Sequence, residues 1–210
     1  MSNSINTPGL AAIQKLEDAF AFFNGKLFDG KLPIAVLTVQ RKRGAKGYFW
    51  HDQMRGRETE ERWDEIAMNP DTFDRDDRLI LSTLVHEMCH LEQQHFGTPP
   101  KGGYHNKEWA TMMEAVGLIP STDGTPKGAR TGRKCTHYIE EGGVFDVACS
   151  ELLSGGWKLD WMATPGVPGE RKKDKSKVKF TCSSCGQNAW AKETAKIACG
   201  DCDVPMEPAE

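Results

Sequence analysis

The chain has 210 residues, a formal net charge of -3, 38% hydrophobic residues and 27% charged ones, a balance that excludes a disordered tail and a uniformly basic nucleic-acid binder. No apolar run approaches the ~18 residues a bilayer crossing needs, so no membrane partner is expected. The start, Met1-Ser2-Asn3-Ser4-Ile5, has neither a basic cluster nor an apolar signal core, and the expected location is the cytoplasm.

Thr7-Pro8 reads as an N-cap with proline in the first turn. Leu10, Ile13, Leu16, Phe20, Phe23 and Leu27 follow at three- and four-residue steps, the pattern of an amphipathic helix that ends at Asp29-Gly30. Short β-branched or aromatic runs at 34–39 and 48–50 read as strands, and 65–68 as a third, stopped by Asn69-Pro70. Asp74 and Asp77 are placed to cap a helix that is apolar nearly all round from Leu79 to Leu91 and ends before Gly97. Asn106 caps a further helix through Val116, with Trp109, Met112 and Val116 as a packing stripe. The stretch 120–134 reads as a loop, 135–139 as a strand, 144–153 as a short helix and 157–162 as another strand. A Pro/Gly- then Lys-rich linker over 164–177 leads to the last unit.

The buried helix carries the chemistry. His86-Glu87-Met88-Cys89-His90 is a His-Glu-x-x-His motif. On a helix, residues four apart share a face, so both imidazoles can reach one metal ion. Glu87 lies one step round, where its carboxylate can act on a water instead of on the metal. A catalytic zinc takes three protein ligands plus water. His51, His95, His105 and His137 remain to supply the third. The long-motif zinc proteases place it six residues after the second His, which here is Phe96, so His95 is set aside as a surface or supporting residue. His105 follows a Gly-Gly turn at a helix start, from which a loop can fold back over the motif; it is the expected third ligand. Tyr104, His95 and His137 are candidates for stabilising the oxyanion.

Seven cysteines, an odd number, do not suggest a disulfide framework. Cys182-x-x-Cys185 and Cys199-x-x-Cys202, 13 residues apart, read as four thiolates closing a tetrahedral structural zinc site with no open position. Gly186 and Gly200 are expected at left-handed positions of the two knuckle turns. Cys89, Cys135 and Cys149 read as thiols packed in the core. Lys172, Lys173, Lys175, Lys177 and Lys179 run into this unit, and Trp190 with Lys192 lies on it; lysines can neutralise phosphates and an indole can stack on an unpaired base. The basic runs 41–46 and 127–134 read as solvated loops.

Phe28-Asp29-Gly30-Lys31-Leu32-Pro33, the strands after it, Leu84 to His90, and Gly103-Tyr104-His105-Asn106-Lys107-Glu108-Trp109 occur in the order that resembles the SprT-like metallopeptidase family, which includes the Spartan-type proteases that digest proteins crosslinked to DNA. The likeness runs over residues 10–118 and resumes in the four-Cys unit; Tyr104, between Gly103 and the third His, is a small departure. It implies His86, His90 and His105 as zinc ligands and Glu87 as general base. The expectation is therefore an α+β protein: a zincin-like metalloprotease core over 8–118, an α/β extension with no assigned role over 119–163, a basic linker over 164–177 and a β zinc ribbon over 178–210. Its expected cofactors are one catalytic and one structural Zn2+, and its expected partners are protein substrates and DNA. The rival reading is a non-hydrolytic zinc protein that binds DNA or a protein partner.

Overall fold

The computed structural model describes residues 7–164 and 177–208. The chain divides into two compact units, Met1–Pro165 and Gly166–Glu210. Lys172, Lys173 and Lys175, and nearly all of the expected linker, lie outside the described residues.

In the first unit, helix α1 (Pro8–Leu27) starts where Thr7 Oγ1 accepts the Leu10 N–H and buries Ala12, Leu16, Ala19, Phe20 and Phe23 along one stripe. The chain then turns back. Asn24 clamps the turn by accepting the Leu32 N–H and donating to the Leu32 carbonyl, at 3.1 and 3.2 Å. Strands β1 (Ala35–Val39), β2 (Gly47–Arg55) and β3 (Arg62–Met68) form a sheet in the order β1-β3-β2, with β3 parallel to β1 and antiparallel to β2. The central strand is buried from Asp64 to Met68. The outer strand shifts register between Trp50 and Met54, where Asp52 takes a left-handed φ of 51°; such a bulge re-aims the side chains beside it. This strand continues five residues past the expected Tyr48–Trp50 segment, because pairing with β3 holds polar residues that have no strand signature of their own.

Helix α2 (Asp77–Phe96) is capped by Asp76, which lies between the two expected cap positions Asp74 and Asp77, through a 2.8 Å bond from the Arg78 N–H. Every residue from Ile80 to Cys89 is buried. Burying each Leu, Ile, Val or Met there contributes about 1.5–3 kcal/mol before entropy is counted, so this helix is the axis of the core. Helix α3 (Lys107–Ala115) follows, capped by Asn106 Oδ1 from the Trp109 N–H at 3.0 Å. Strands β4 (Leu118–Ser121) and β5 (Thr136–Ile139) pair antiparallel, so the segment expected to be loop from 120 begins inside a strand. Helix α4 (Val144–Ser154) stacks Phe145 on Phe23 of α1 at 5.6 Å, and its Asp146 pairs with Arg78 at the start of α2.

Residues 157–162 do not form the expected strand. Their large side chains clasp α1 instead: Trp157 Nε1 donates to the Lys15 carbonyl at 2.9 Å, and Trp161 Nε1 to the Pro8 carbonyl at 3.0 Å. Alternating bulk signals half-burial, and an extended clasp meets that requirement as well as a ladder does.

The second unit is a four-stranded sheet, order β7-β6-β9-β8, from β6 (Val178–Cys182), β7 (Asn188–Ala191), β8 (Ala198–Cys199) and β9 (Val204–Pro208). Among its described residues the buried hydrophobic cluster is Phe180, Cys182, Cys199 and Met206. Gly186 has the expected left-handed φ of 75° after the first Cys pair; the matching position after the second is Asp203, φ 52°, and not Gly200.

Candidate metal and catalytic site

Helix α2 presents His86 and His90 one turn apart, and the loop before α3 returns His105 to them. One ring nitrogen from each of the three lies within 4.8 Å of the others. Two linkages hold that loop. Gln93 on α2 donates to the capping Asn106 Oδ1 at 2.8 Å, and the His105 backbone exchanges two hydrogen bonds with Gly132, at 2.9 and 3.1 Å. Beneath the rings lies Trp109, fully buried, stacked on His90 at 5.0 Å and edge-on to His86 and His105 at 4.9 and 4.4 Å. Trp109 is packing, as its place in the stripe suggests, but what it packs against is the histidine set.

Hydrogen bonds decide which nitrogens face outward. The Gly132 carbonyl lies 3.0 Å from His105 Nδ1. A carbonyl only accepts, so Nδ1 carries the proton and Nε2 keeps its lone pair. A longer chain fixes His86. The Ser82 hydroxyl donates its one proton to the Leu79 carbonyl at 3.0 Å, and therefore accepts from His137 Nε2 at 2.9 Å. His137 Nδ1 is then an acceptor, and His86 Nδ1, 3.2 Å away, donates to it. That leaves His86 Nε2 as the free donor atom for a metal. Burial and the neighbouring imidazoles hold His86 well below its usual pKa, and burial with His105 pushes His90 down to about 3. Burial also lowers His105, against the hydrogen bond to Gly132. Three neutral nitrogen donors on a dry, rigid floor suit Zn2+.

Glu87 is 5% exposed. Burial raises its carboxyl to about 8, against Lys42 and a backbone hydrogen bond from Phe49. At the start of β2, Gly47 leaves it room: a Cβ there would lie 3.1 Å from both Glu87 Oε1 and the Ala67 carbonyl oxygen.

His86, Glu87, His90 and His105 open into one cleft of about 590 Å³. Its walls bring together the two basic runs read from sequence as solvated loops: Lys42 and Lys46 on one side, Arg133 and Lys134 on the other. Glu87 is the only acid among the lining residues. Sequence reasoning missed this convergence, because the runs are some ninety residues apart and meet where β5 carries Thr136 to a 3.4 Å contact with Lys46. Of the three oxyanion candidates, Tyr104 lines the cleft, His137 has both ring nitrogens engaged with His86 and Ser82, and His95 bonds through Nε2 to Asp64.

In the second unit, one sulfur from each of Cys182, Cys185, Cys199 and Cys202 lies within 4.8 Å of the others. The Cys185 N–H points at Cys182 Sγ from 3.5 Å and lowers that thiol to about 7, towards the thiolate a metal needs. Lys179 and Trp190 are register partners across β6 and β7, and Trp190 is 61% exposed; Lys177 and Lys192 are exposed near them. Cys89 and Cys149 are buried as expected, whereas Cys135 is only partly so.

A family model described as the SprT-like family matches residues 16–128, which include His86, Glu87, His90 and His105. Protein SprT of Cronobacter sakazakii (strain ATCC BAA-894) is 32% identical over 113 residues, 53% of this chain and 60% of that protein's length. A Salmonella typhimurium protein described as an uncharacterized protein in the mucB 3′ region is 36% identical over 63 residues, 30% of this chain and 85% of that one. No solved structure matches the chain.

Proposed function

The chain belongs to the SprT-like family, and from that premise we propose that it is a zinc-dependent endopeptidase acting on proteins bound or crosslinked to DNA. The observation that carries the proposal is the cleft in which three neutral imidazoles converge beside a buried carboxylate. His86, His90 and His105 would hold the ion. When bound, Zn2+ supplies Lewis-acid polarisation of the scissile carbonyl, lowers the pKa of water and, by its charge, draws Glu87 towards its ionised form. Glu87 then takes a proton from the attacking water and delivers it to the departing amine. The Ser82–His137–His86 chain holds one ligand in its tautomer, Gly132 holds another, and Tyr104 at the cleft wall is the candidate donor to the oxyanion.

The basic cleft walls favour a polyanion beside the substrate. In the second unit we propose a zinc ribbon, with the four Cys holding a structural ion and Lys179 and Trp190 offering a phosphate contact and a stacking face side by side. Glu87→Gln should keep its bound zinc and lose cleavage of a DNA-bound protein by at least ~10²-fold, the scale of a lost general base. The two chains are assayed with and without single-stranded DNA. If both cut alike, or if neither cuts any protein, the peptidase assignment fails and the non-hydrolytic reading takes its place.

A further inference from the structure

We propose that His51, Asp64 and His95 form a second histidine-based metal site, separate from the cleft, that takes a first-row divalent cation such as Zn2+ and ties β2 and β3 to the end of α2. One ligand atom from each residue lies within 4.8 Å of the others. His95 is five residues beyond His90 on α2, about 7.5 Å further along and about 140° round the axis, so the two sites cannot share an ion.

Asp64 lies at its centre. The residue is 5% exposed, yet both of its carboxylate oxygens face imidazoles: Oδ1 is 2.7 Å from His51 Nδ1 and Oδ2 is 2.6 Å from His95 Nε2. Among the described residues no Lys or Arg comes within 4 Å of it, so no fixed cation balances this buried charge. Three hydrogen-bonding groups face the carboxylate, from His95, the Asp52 N–H and His51. A buried carboxylate with no Lys or Arg partner is where a bound cation is worth most.

The surroundings are arranged for coordination. The Asp52 N–H, 2.8 Å from Asp64 Oδ1, orients the carboxylate. The Asp52 side chain lies 3.7 Å from the far ring nitrogen of His51, beyond hydrogen-bond distance but close enough to become the outer carboxylate of a metal-bound imidazole after a small shift. The β2 bulge, with Asp52 in its left-handed conformation, brings His51 to this point. His51 and His95 side chains are 43% and 35% exposed, so an ion can enter from solvent and keep a water in its remaining position. On binding, the protons on His51 Nδ1 and His95 Nε2 leave for solvent or the far ring nitrogens, and the freed lone pairs complete a two-His, one-carboxylate set suited to Zn2+, Fe2+ or Ni2+.

The test counts ions, and it does not depend on any peptidase activity. The full chain is equilibrated with Zn2+, freed of loose metal and analysed for zinc per chain beside His95→Gln and His51→Ala. The Gln amide can still donate to Asp64, so the fold is kept while the ligand is lost. Each variant should bind one ion fewer than the wild type, and added Zn2+ should raise the wild-type unfolding temperature more than that of either variant. Equal zinc content and equal Zn2+-induced shifts would reduce the cluster to a hydrogen-bonded pin and overturn the site. Loss of the peptidase reading would leave this count unchanged.

Discussion

Ser82, a residue with no chemistry of its own in the cleft, determines which nitrogen of His86 faces it. Its proton is committed to Leu79, and the choice passes through His137 to His86. His137→Ala removes the acceptor and should weaken zinc binding about 10–100-fold, the usual cost of losing such a partner; competition with a chromogenic chelator measures it. His86, Glu87 and His90 were legible because helical spacing makes them neighbours by construction. The proximity of His105 could be argued from the Gly-Gly turn before it. No periodicity brings His137 within reach of a residue 51 positions earlier, so its contact with His86 belongs to the tertiary structure alone. The same is true of Asp64, which falls between the strands expected at 48–50 and 65–68 and carries no signal of its own.

At the scale of elements, helices with side-chain caps and clear periods were readable: α1 from Thr7 and α3 from Asn106 begin where their caps predict. Elements that depend on a distant partner were not. The polar second half of β2 exists because β3 pairs with it, and β4 because β5 does. The junction of α2 and α3 makes a prediction of its own. Glu108 accepts from Gln93 Nε2 at 2.6 Å and from the Thr98 N–H at 2.8 Å, and these bonds hold its carboxyl below its ordinary value of 4.5. The folded chain therefore binds that proton more weakly than the unfolded chain. The resulting stability is complete above the unfolded pKa and lost as pH falls through the lowered one. Wild type should melt higher than Glu108→Gln at neutral pH, and the gap should narrow in thermal scans as the pH falls below 4.5. A gap that widened on acidification would refute the assignment.

At the scale of the molecule, the two units obtain their stability differently. The first has a core running from α1 through α2 to α4. Among its described residues the second buries four hydrophobic ones, two of them cysteines, and that is too small a core to fold on alone. In Cys182→Ser with Cys199→Ser, backbone resonances of residues 178–208 should collapse to unfolded positions, while the helical circular dichroism of the first unit persists; the lost metal binding is of order 10 kcal/mol. Retained dispersion in those resonances would show that no ion is needed there. The tryptophan clasp on α1 has a bearing on how the chain is made. Trp161 follows the Pro8 carbonyl it caps by 153 residues, which at ribosomal speed is roughly 8–30 s of synthesis. Through most of that interval the apolar stripe of α1 waits without Phe145 or Trp157 to cover it. A nascent chain in that state is open to aggregation and to capture by chaperones, and the unit can close only once nearly all of it has left the ribosome.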